Sequence, residues 1–109
     1  MTTKRKRSTK SISYKKILFK ELQNPELAAG YLTEAFEEGE DVFLLALKDV
    51  TEAHGGIGPL ARITNLNREG LYEMLSKQGN PRLSSFSAIL KALGIKVTFN
   101  AKLQGTKAA

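Results

Sequence analysis

The sequence predicts an all-α fold of five to six helices followed by one short C-terminal β-strand. Apolar residues recur at the three- and four-residue spacing of amphipathic helices over most of the chain. Residues typical of helix ends separate these segments, notably Asn24–Pro25 and Gly55–Gly56. Beyond Gly94 the apolar residues alternate with polar ones, which indicates a strand. A chain of 109 residues suits a single domain.

The predicted domain covers residues 14–101, between a disordered basic arm at 1–13 and a flexible tail at 102–109. The arm consists almost entirely of Lys, Arg, Ser and Thr, so it has little to bury. It could contact nucleic acid, bind a protein partner or be a solvated tail. The sequence leaves these three readings open.

The first two helices follow from local signals. Ile17, Leu18 and Leu22 give a short apolar face. Asn24 is placed to cap a second helix, with Pro25 at its first position. The apolar face predicted for this second helix comprises Leu27, Ala28, Tyr31, Leu32, Ala35 and Phe36.

The best candidate for the core helix is the segment VFLLALKDV, which begins at Val42. Its apolar residues are dense enough to be buried on more than one side. We expect Asp41 to cap it, and Gly55–Gly56 to end it with positive φ angles. Shorter helices are predicted at about 58–65, 68–78 and 83–93, and the strand at 95–101. A single strand requires a partner strand, either elsewhere in the chain or in a second copy.

Residues 58–78 have the pattern of a helix-turn-helix. Ala61 is small enough for a second helix to cross closely, and Asn65 tolerates the left-handed conformation that a tight turn needs. Leu66 would fill the turn and Asn67 would cap the second helix. Leu71, Met74 and Leu75 would then face the body of the domain. In DNA-binding proteins the second helix of this motif lies in the major groove.

This geometry assigns candidate roles in DNA binding. With Leu71 and Leu75 directed inward, the opposite face and the start of the second helix would read base edges. On this geometry the candidates for base contacts are Arg68, Glu69, Tyr72 and Glu73. The candidates for phosphate contacts are Arg62, Ser76, Lys77 and Arg82.

The chain resembles the addiction-module antidote proteins over residues 22–99. The resemblance rests on LQNPELAAGYL, on DVFLLALKDVTEAHGGIGPLAR and above all on LNREGLYEMLSKQGNPRLSSFSAILKALG. It implies a prophage-type regulator with a λ-repressor-like, Xre-type helix-turn-helix, and an antitoxin that binds its own operator as a dimer. It also implies a small toxin partner similar to the RelE/ParE type. By the same resemblance the base-reading positions are Asn67, Arg68, Glu69, Tyr72 and Glu73. Arg82 departs from the Ser or Thr that is common there, so the last helix is expected to be less firmly capped.

The charge is distributed in blocks. Residues 1–20 carry eight basic residues and no acid, residues 21–56 carry nine acids and one base, and residues 57–109 carry eight bases and two acids. Such blocks suggest separate surfaces for separate partners. The acidic residues Glu34, Glu37, Glu38, Glu40 and Asp41 are either a solvated surface or a face for a basic toxin.

The composition argues against an enzyme. The chain has no Cys, and its one histidine, His54, supports neither a metal site nor a catalytic triad, so no cofactor or metal is expected. His54 is expected to pack or cap at the end of the core helix. We predict a cytoplasmic, nucleoid-associated repressor and antitoxin without a membrane segment. A repressor without a toxin, or a helical adaptor that does not bind DNA, remain alternatives.

Overall fold

The computed structural model describes residues 13–76 and 79–102, and this part of the chain is all-helical. Its six helices are α1 (13–22), α2 (Pro25–Glu38), α3 (Glu40–Ala53), α4 (Ile57–Thr64), α5 (Arg68–Met74) and α6 (Leu83–Ala92). The predicted basic arm and tail lie outside the described residues, except that residue 13 already belongs to α1 and Lys102 is also described.

Helices α2 and α3 form an antiparallel pair joined by Gly39 alone. The start of α2 is as predicted, because Asn24 accepts a hydrogen bond of 2.9 Å from the Glu26 N–H. The predicted cap at Asp41 is wrong. Gly39 ends one helix and begins the next, so Asp41 already lies in the first turn of α3, where its carboxylate accepts from the Val42 N–H.

Helix α3 is the core helix, as predicted. Six of its residues are buried, including Leu47 and Val50 with no exposed surface. It ends at His54, whose Nδ1 lies 3.0 Å from the Val50 carbonyl oxygen, and Gly55 and Gly56 then have positive φ angles. These residues turn the chain towards α4.

One hydrophobic core joins all six helices. Its buried members are Leu22, Ala28, Leu32, Ala35, Ala46, Leu47, Val50, Ala53, Ile57, Leu60, Leu71, Leu75, Ile89, Leu90 and Leu93. Two residues that the pattern assigned to the apolar face of α2, Leu27 and Phe36, are instead half or more exposed. They are nine residues apart and so lie about 180° from each other around the helix, on either side of its buried residues Ala28, Leu32 and Ala35.

The predicted C-terminal strand at 95–101 is wrong for this structure. Residues 95–102 form no regular secondary structure, and no strand occurs in 13–76 or 79–102. Ile95 packs against the core and its N–H donates to the Leu90 carbonyl, but Val97 and Phe99 are exposed. A ladder needs a second strand, and the described part of the chain supplies none.

Candidate nucleic-acid interface

A three-residue turn joins α4 to α5. Asn65 adopts the left-handed conformation (φ 62°, ψ 30°) and is the C-cap of α4. Asn67 is the N-cap of α5, and its side-chain oxygen accepts a hydrogen bond of 3.0 Å from the Gly70 N–H. Both conformations are those predicted from the sequence. Leu66, predicted to be buried in the turn, is half-buried and packs against the core.

Thr64 holds this turn together and was not anticipated from the sequence. Its hydroxyl donates a hydrogen bond of 2.7 Å to the Leu60 carbonyl and accepts one of 3.3 Å from the Leu66 N–H. The side chain thus connects the last turn of α4 to the chain that leaves it. A threonine four residues after Leu60 at a helix end was the available signal, because Thr readily bonds to the carbonyl four residues earlier.

Helix α5 is amphipathic. Leu71 and Leu75 are fully buried and Met74 is half-buried against the core, as predicted. The five candidates for base contacts are all exposed on the solvent side or at the start of the helix: Asn67, Arg68, Glu69, Tyr72 and Glu73. Tyr72 keeps 55% of its surface exposed although it is a large aromatic residue. The fold therefore brings these side chains together on one short, accessible helix.

The predicted end of α5 at residue 78 is wrong, since the helix stops at Met74. Ser76 follows this end and bonds back to the last turn of α5. Its N–H donates to the Glu73 carbonyl at 3.2 Å and its hydroxyl donates to the same oxygen at 2.8 Å. The Ser76 hydroxyl is therefore already engaged in a hydrogen bond within the protein.

The other candidates for phosphate contacts precede or follow α5 in the sequence. Arg62 is exposed in the last turn of α4. Arg82 is exposed as the N-cap of α6 and makes no side-chain capping bond, in agreement with the weaker cap expected there. Lys77 lies outside the described residues.

A groove of about 830 Å³ separates α5 from the start of α6. Its lining is mixed: it includes the apolar residues Leu66 and Met74 together with Asn67, Glu73, Asn80, Arg82 and Ser85. The groove is open to solvent beside the exposed face of α5.

The floor of this groove depends on Gly79, a second residue that the sequence did not single out. A Cβ atom at this position would overlap the Met74 carbonyl and lie only 2.7 Å from the Glu73 carbonyl oxygen. The Gly79 N–H donates to the Ser76 carbonyl at 2.9 Å. Glycine thus lets the chain pass directly over the end of α5 towards α6.

Two other kinds of feature, a membrane-spanning helix and a metal site, are absent from the described residues. No helix within 13–76 or 79–102 is long and apolar enough to cross a membrane. Within the same ranges, no group of three or more His, Cys, Asp or Glu side chains is placed to hold a metal ion.

The fold and this face define a small all-helical protein that presents a short polar helix after a tight turn. Residues 15–101 match the sequence profile of a family described as "probable addiction module antidote protein". The chain belongs to that family. It is also 36% identical over 67 residues to a protein of Haemophilus influenzae (strain Rd) named "Uncharacterized protein", covering 61% of this chain and 68% of that one. No solved structure matches the chain.

Family membership assigns a general role. The antidote of an addiction module is the antitoxin of a toxin–antitoxin pair, so the family implies a toxin as partner.

Proposed function

We propose that this antitoxin is a sequence-specific DNA-binding protein that represses its own operon. The observation that carries the proposal is the exposed polar face of α5, which follows a turn with a left-handed Asn65 and an Asn67 cap. In a helix-turn-helix protein of the λ-repressor-like class, the second helix of such a unit enters the major groove. Here α4 and α5 would be those two helices.

The exposed side chains of α5 have the chemistry for reading bases. Arg68 can donate to both N7 and O6 of guanine. Glu69 and Glu73 can accept from the N4 amino group of cytosine, and they repel phosphates where no such donor is present. Tyr72 can pack against a thymine methyl group or donate to a phosphate.

Basic residues around α5 would position the protein without specifying the sequence. Arg62 precedes α5 in the sequence and Arg82 follows it, and both side chains are exposed. Lys77 and the hydroxyl of Ser76 are further candidates for phosphate contacts, although that hydroxyl already donates to Glu73.

The proposed active form is a homodimer on a palindromic operator. Two copies would place their α5 helices in successive major grooves, about 34 Å apart. The proposed partner is a small basic toxin of the RelE/ParE type, and the proposed setting is a prophage-type operon in the cytoplasm, close to the nucleoid. The proposal gives the chain no catalytic activity.

The test is a mobility-shift titration of the full-length protein with its own promoter DNA and with random DNA of equal length. Arg68→Ala and Tyr72→Ala should each cost about 1–3 kcal/mol on the promoter and little on random DNA. Lys48→Ala, which removes an exposed positive charge from α3, is the matched control and should bind as the wild type does.

Two results would reject the proposal. Equal losses on both DNAs would mean that α5 does not read sequence. A wild-type protein that shifts neither DNA would favour a helical adaptor that does not bind DNA. If DNA binds as expected but the neighbouring gene encodes no toxin, a repressor without a toxin becomes the better description.

A further inference from the structure

Gly70 lies inside α5 although the backbone there does not call for glycine. It is the third residue of the helix, and its φ angle is not positive. Glycine is less favourable than alanine in a helix of ordinary geometry, because it loses more conformational entropy on folding. The conformation of α5 would therefore be served better by alanine at this position.

The packing of the protein does not require glycine at position 70 either. A Cβ atom built on Gly70 would lie 3.8 Å from Cβ and 3.9 Å from Oδ1 of Asn67, and these are ordinary van der Waals distances. The contrast is with Gly79, where a Cβ atom would overlap the Met74 carbonyl group. The described part of the chain thus leaves room for a methyl group on Gly70.

Gly70 forms a gap in the exposed face of α5. Asn67, Gly70 and Glu73 follow one another at three-residue spacing, so they share one side of the helix. The side chain of Asn67 is held against the helix, because its Oδ1 accepts the hydrogen bond of 3.0 Å from the Gly70 N–H. We call the gap at Gly70, between the side chains of Asn67 and Glu73, the α5 notch. A partner that enters the notch would meet the helix backbone.

Two depressions of the surface meet at the α5 notch. The groove between α5 and α6 has Asn67, Gly70 and Glu73 in its lining. The same three residues line a smaller depression of about 560 Å³, which also includes Glu69 and Tyr72. Both depressions are open to solvent, so an outside surface can reach the backbone at Gly70 from either of them.

We propose, on the basis of the DNA-binding function proposed above, that the α5 notch is the point of closest approach to the operator, where the edge of a base pair lies against the backbone of Gly70. An α-helix with its side chains is about 10–12 Å wide, and the major groove is about 12 Å wide, so the fit is tight. A position without a side chain lets the helix lie deeper in the groove. Arg68 and Tyr72 would then reach base edges from the same helix.

The contact at the α5 notch depends on shape. The Gly70 N–H already donates to Asn67, so it is not free to bind a phosphate oxygen or a base acceptor. The carboxylate of Glu73 at the rim repels phosphates. A base-pair edge in the major groove presents the apolar thymine methyl group as well as amino donors, and so it is the part of DNA that fits here.

The experiment combines a mobility-shift titration of the full-length protein, on its own promoter and on random DNA, with thermal unfolding followed by circular dichroism. Gly70→Ala should raise the midpoint of thermal unfolding by about 2–8 °C. It should nevertheless bind the promoter at least about fivefold more weakly, and Gly70→Leu more weakly still, because each added group holds the helix away from the bases. The losses on random DNA should be smaller, since non-specific binding depends on phosphate contacts.

Gly30→Ala is the matched control. Gly30 is exposed within α2, its φ angle is not positive, and a Cβ atom there would meet nothing within 4 Å. The variant should gain thermal stability in the same range and should bind both DNAs as the wild type does. Arg68→Ala, measured in the same titration, tests the proposed function itself.

The outcomes separate this inference from the proposed function. If Gly70→Ala and Gly70→Leu bind the promoter as the wild type does while Arg68→Ala binds it weakly, the α5 notch is overturned and base reading by α5 stands. A wild type that shifts neither DNA rejects the proposed function and the notch together. Equal losses on promoter and random DNA would also overturn the notch, as would a lower unfolding midpoint for Gly70→Ala, because the fold itself would then require the glycine.

Discussion

The hydroxyl of Tyr31 donates a hydrogen bond of 2.7 Å to Oδ2 of Asp49 and so connects α2 to α3. Both residues are half-buried. Burial raises the pKa of Tyr31 well above its ordinary value of 10.0, and the hydrogen bond to Asp49 and the charge of that carboxylate raise it further. The phenol thus stays protonated in the folded protein where the tyrosine of the unfolded chain would lose its proton.

Tyr31→Phe should lower the free energy of unfolding at pH 7 by about 1–2 kcal/mol, because the carboxylate of Asp49 loses its donor. Urea denaturation followed by circular dichroism measures the change. Asp49→Asn is the companion variant, since an amide oxygen still accepts from the hydroxyl, and it should cost less. A larger loss from Asp49→Asn would mean that the charge of Asp49, rather than this hydrogen bond, provides the stability.

The raised pKa also predicts a pH dependence. The folded state holds the Tyr31 proton more tightly than the unfolded state, so its contribution is complete below about pH 10. As pH rises above this value, the unfolded chain releases the proton first and the free energy of unfolding falls. Tyr31→Phe should show a smaller fall between pH 9 and pH 11 than the wild type. An identical fall in both proteins would assign the alkaline sensitivity to other groups.

The left-handed Asn65 predicts opposite effects for two substitutions. Asn65→Ala should lower the free energy of unfolding by about 1 kcal/mol, because a Cβ without a compensating polar group disfavours φ 62°. Asn65→Gly should be neutral or slightly stabilising, since glycine adopts positive φ without strain. Equal losses in both variants, again by urea denaturation, would show that the side chain matters more than the backbone conformation.

The sequence predicted this turn because its signals are local. Asn65, Asn67 and Leu71 each follow from preferences that depend on a few neighbouring residues, and the structure confirms their conformations or burial. The same holds for the Asn24 cap. Gly79 was missed because its role depends on the carbonyls of Glu73 and Met74, which only the folded chain brings near. Thr64 had a local signal, its position four residues after Leu60, which was overlooked.

The predictions that failed depend on contacts between segments that are far apart in the sequence. The apolar alternation at 95–101 suits a strand, but pairing depends on a second strand that the described residues do not contain. The apolar face assigned to α2 was too wide, because Leu27 and Phe36 lie about 180° apart around the helix, and the sequence does not tell which part of that face the neighbouring helices cover. The exposure of Phe36 thus became visible only in the structure.

Salt dependence should separate the phosphate contacts from the base contacts. Arg62→Ala and Arg82→Ala should each weaken binding to promoter and random DNA by similar factors, and each should reduce the slope of log K against log salt by about 1. Filter binding between 50 and 200 mM salt measures this slope. Lys48→Ala should leave it unchanged. A loss confined to the promoter would reassign that arginine to base contacts.

A buried hydroxyl in α3 predicts a stabilising substitution. Thr51 is 1% exposed, and its Oγ1 has no hydrogen-bond partner among the described residues. Thr51→Val keeps the shape and removes the unpaired group, so the free energy of unfolding should rise by about 1 kcal/mol. Thr33→Val is the control, because that hydroxyl is exposed and bonded to the Ala29 carbonyl, and it should not stabilise. A destabilised Thr51→Val would indicate a partner for the hydroxyl, such as water.

Removing acids where α2 meets α3 should change the free energy of unfolding in opposite directions, depending on which helix end carries the acid. Glu37→Gln and Glu38→Gln should each raise the free energy of unfolding by about 0.3–1 kcal/mol at low salt, because they remove negative charge from the C-terminal end of α2. Glu40→Gln should lower it by a similar amount, since Glu40 lies in the first turn of α3, where negative charge is favourable.

Thermal and urea unfolding at 20 mM and 500 mM salt measure these changes, and the higher salt should reduce all three. Effects of the same sign in the three variants would exclude the helix dipole as their cause.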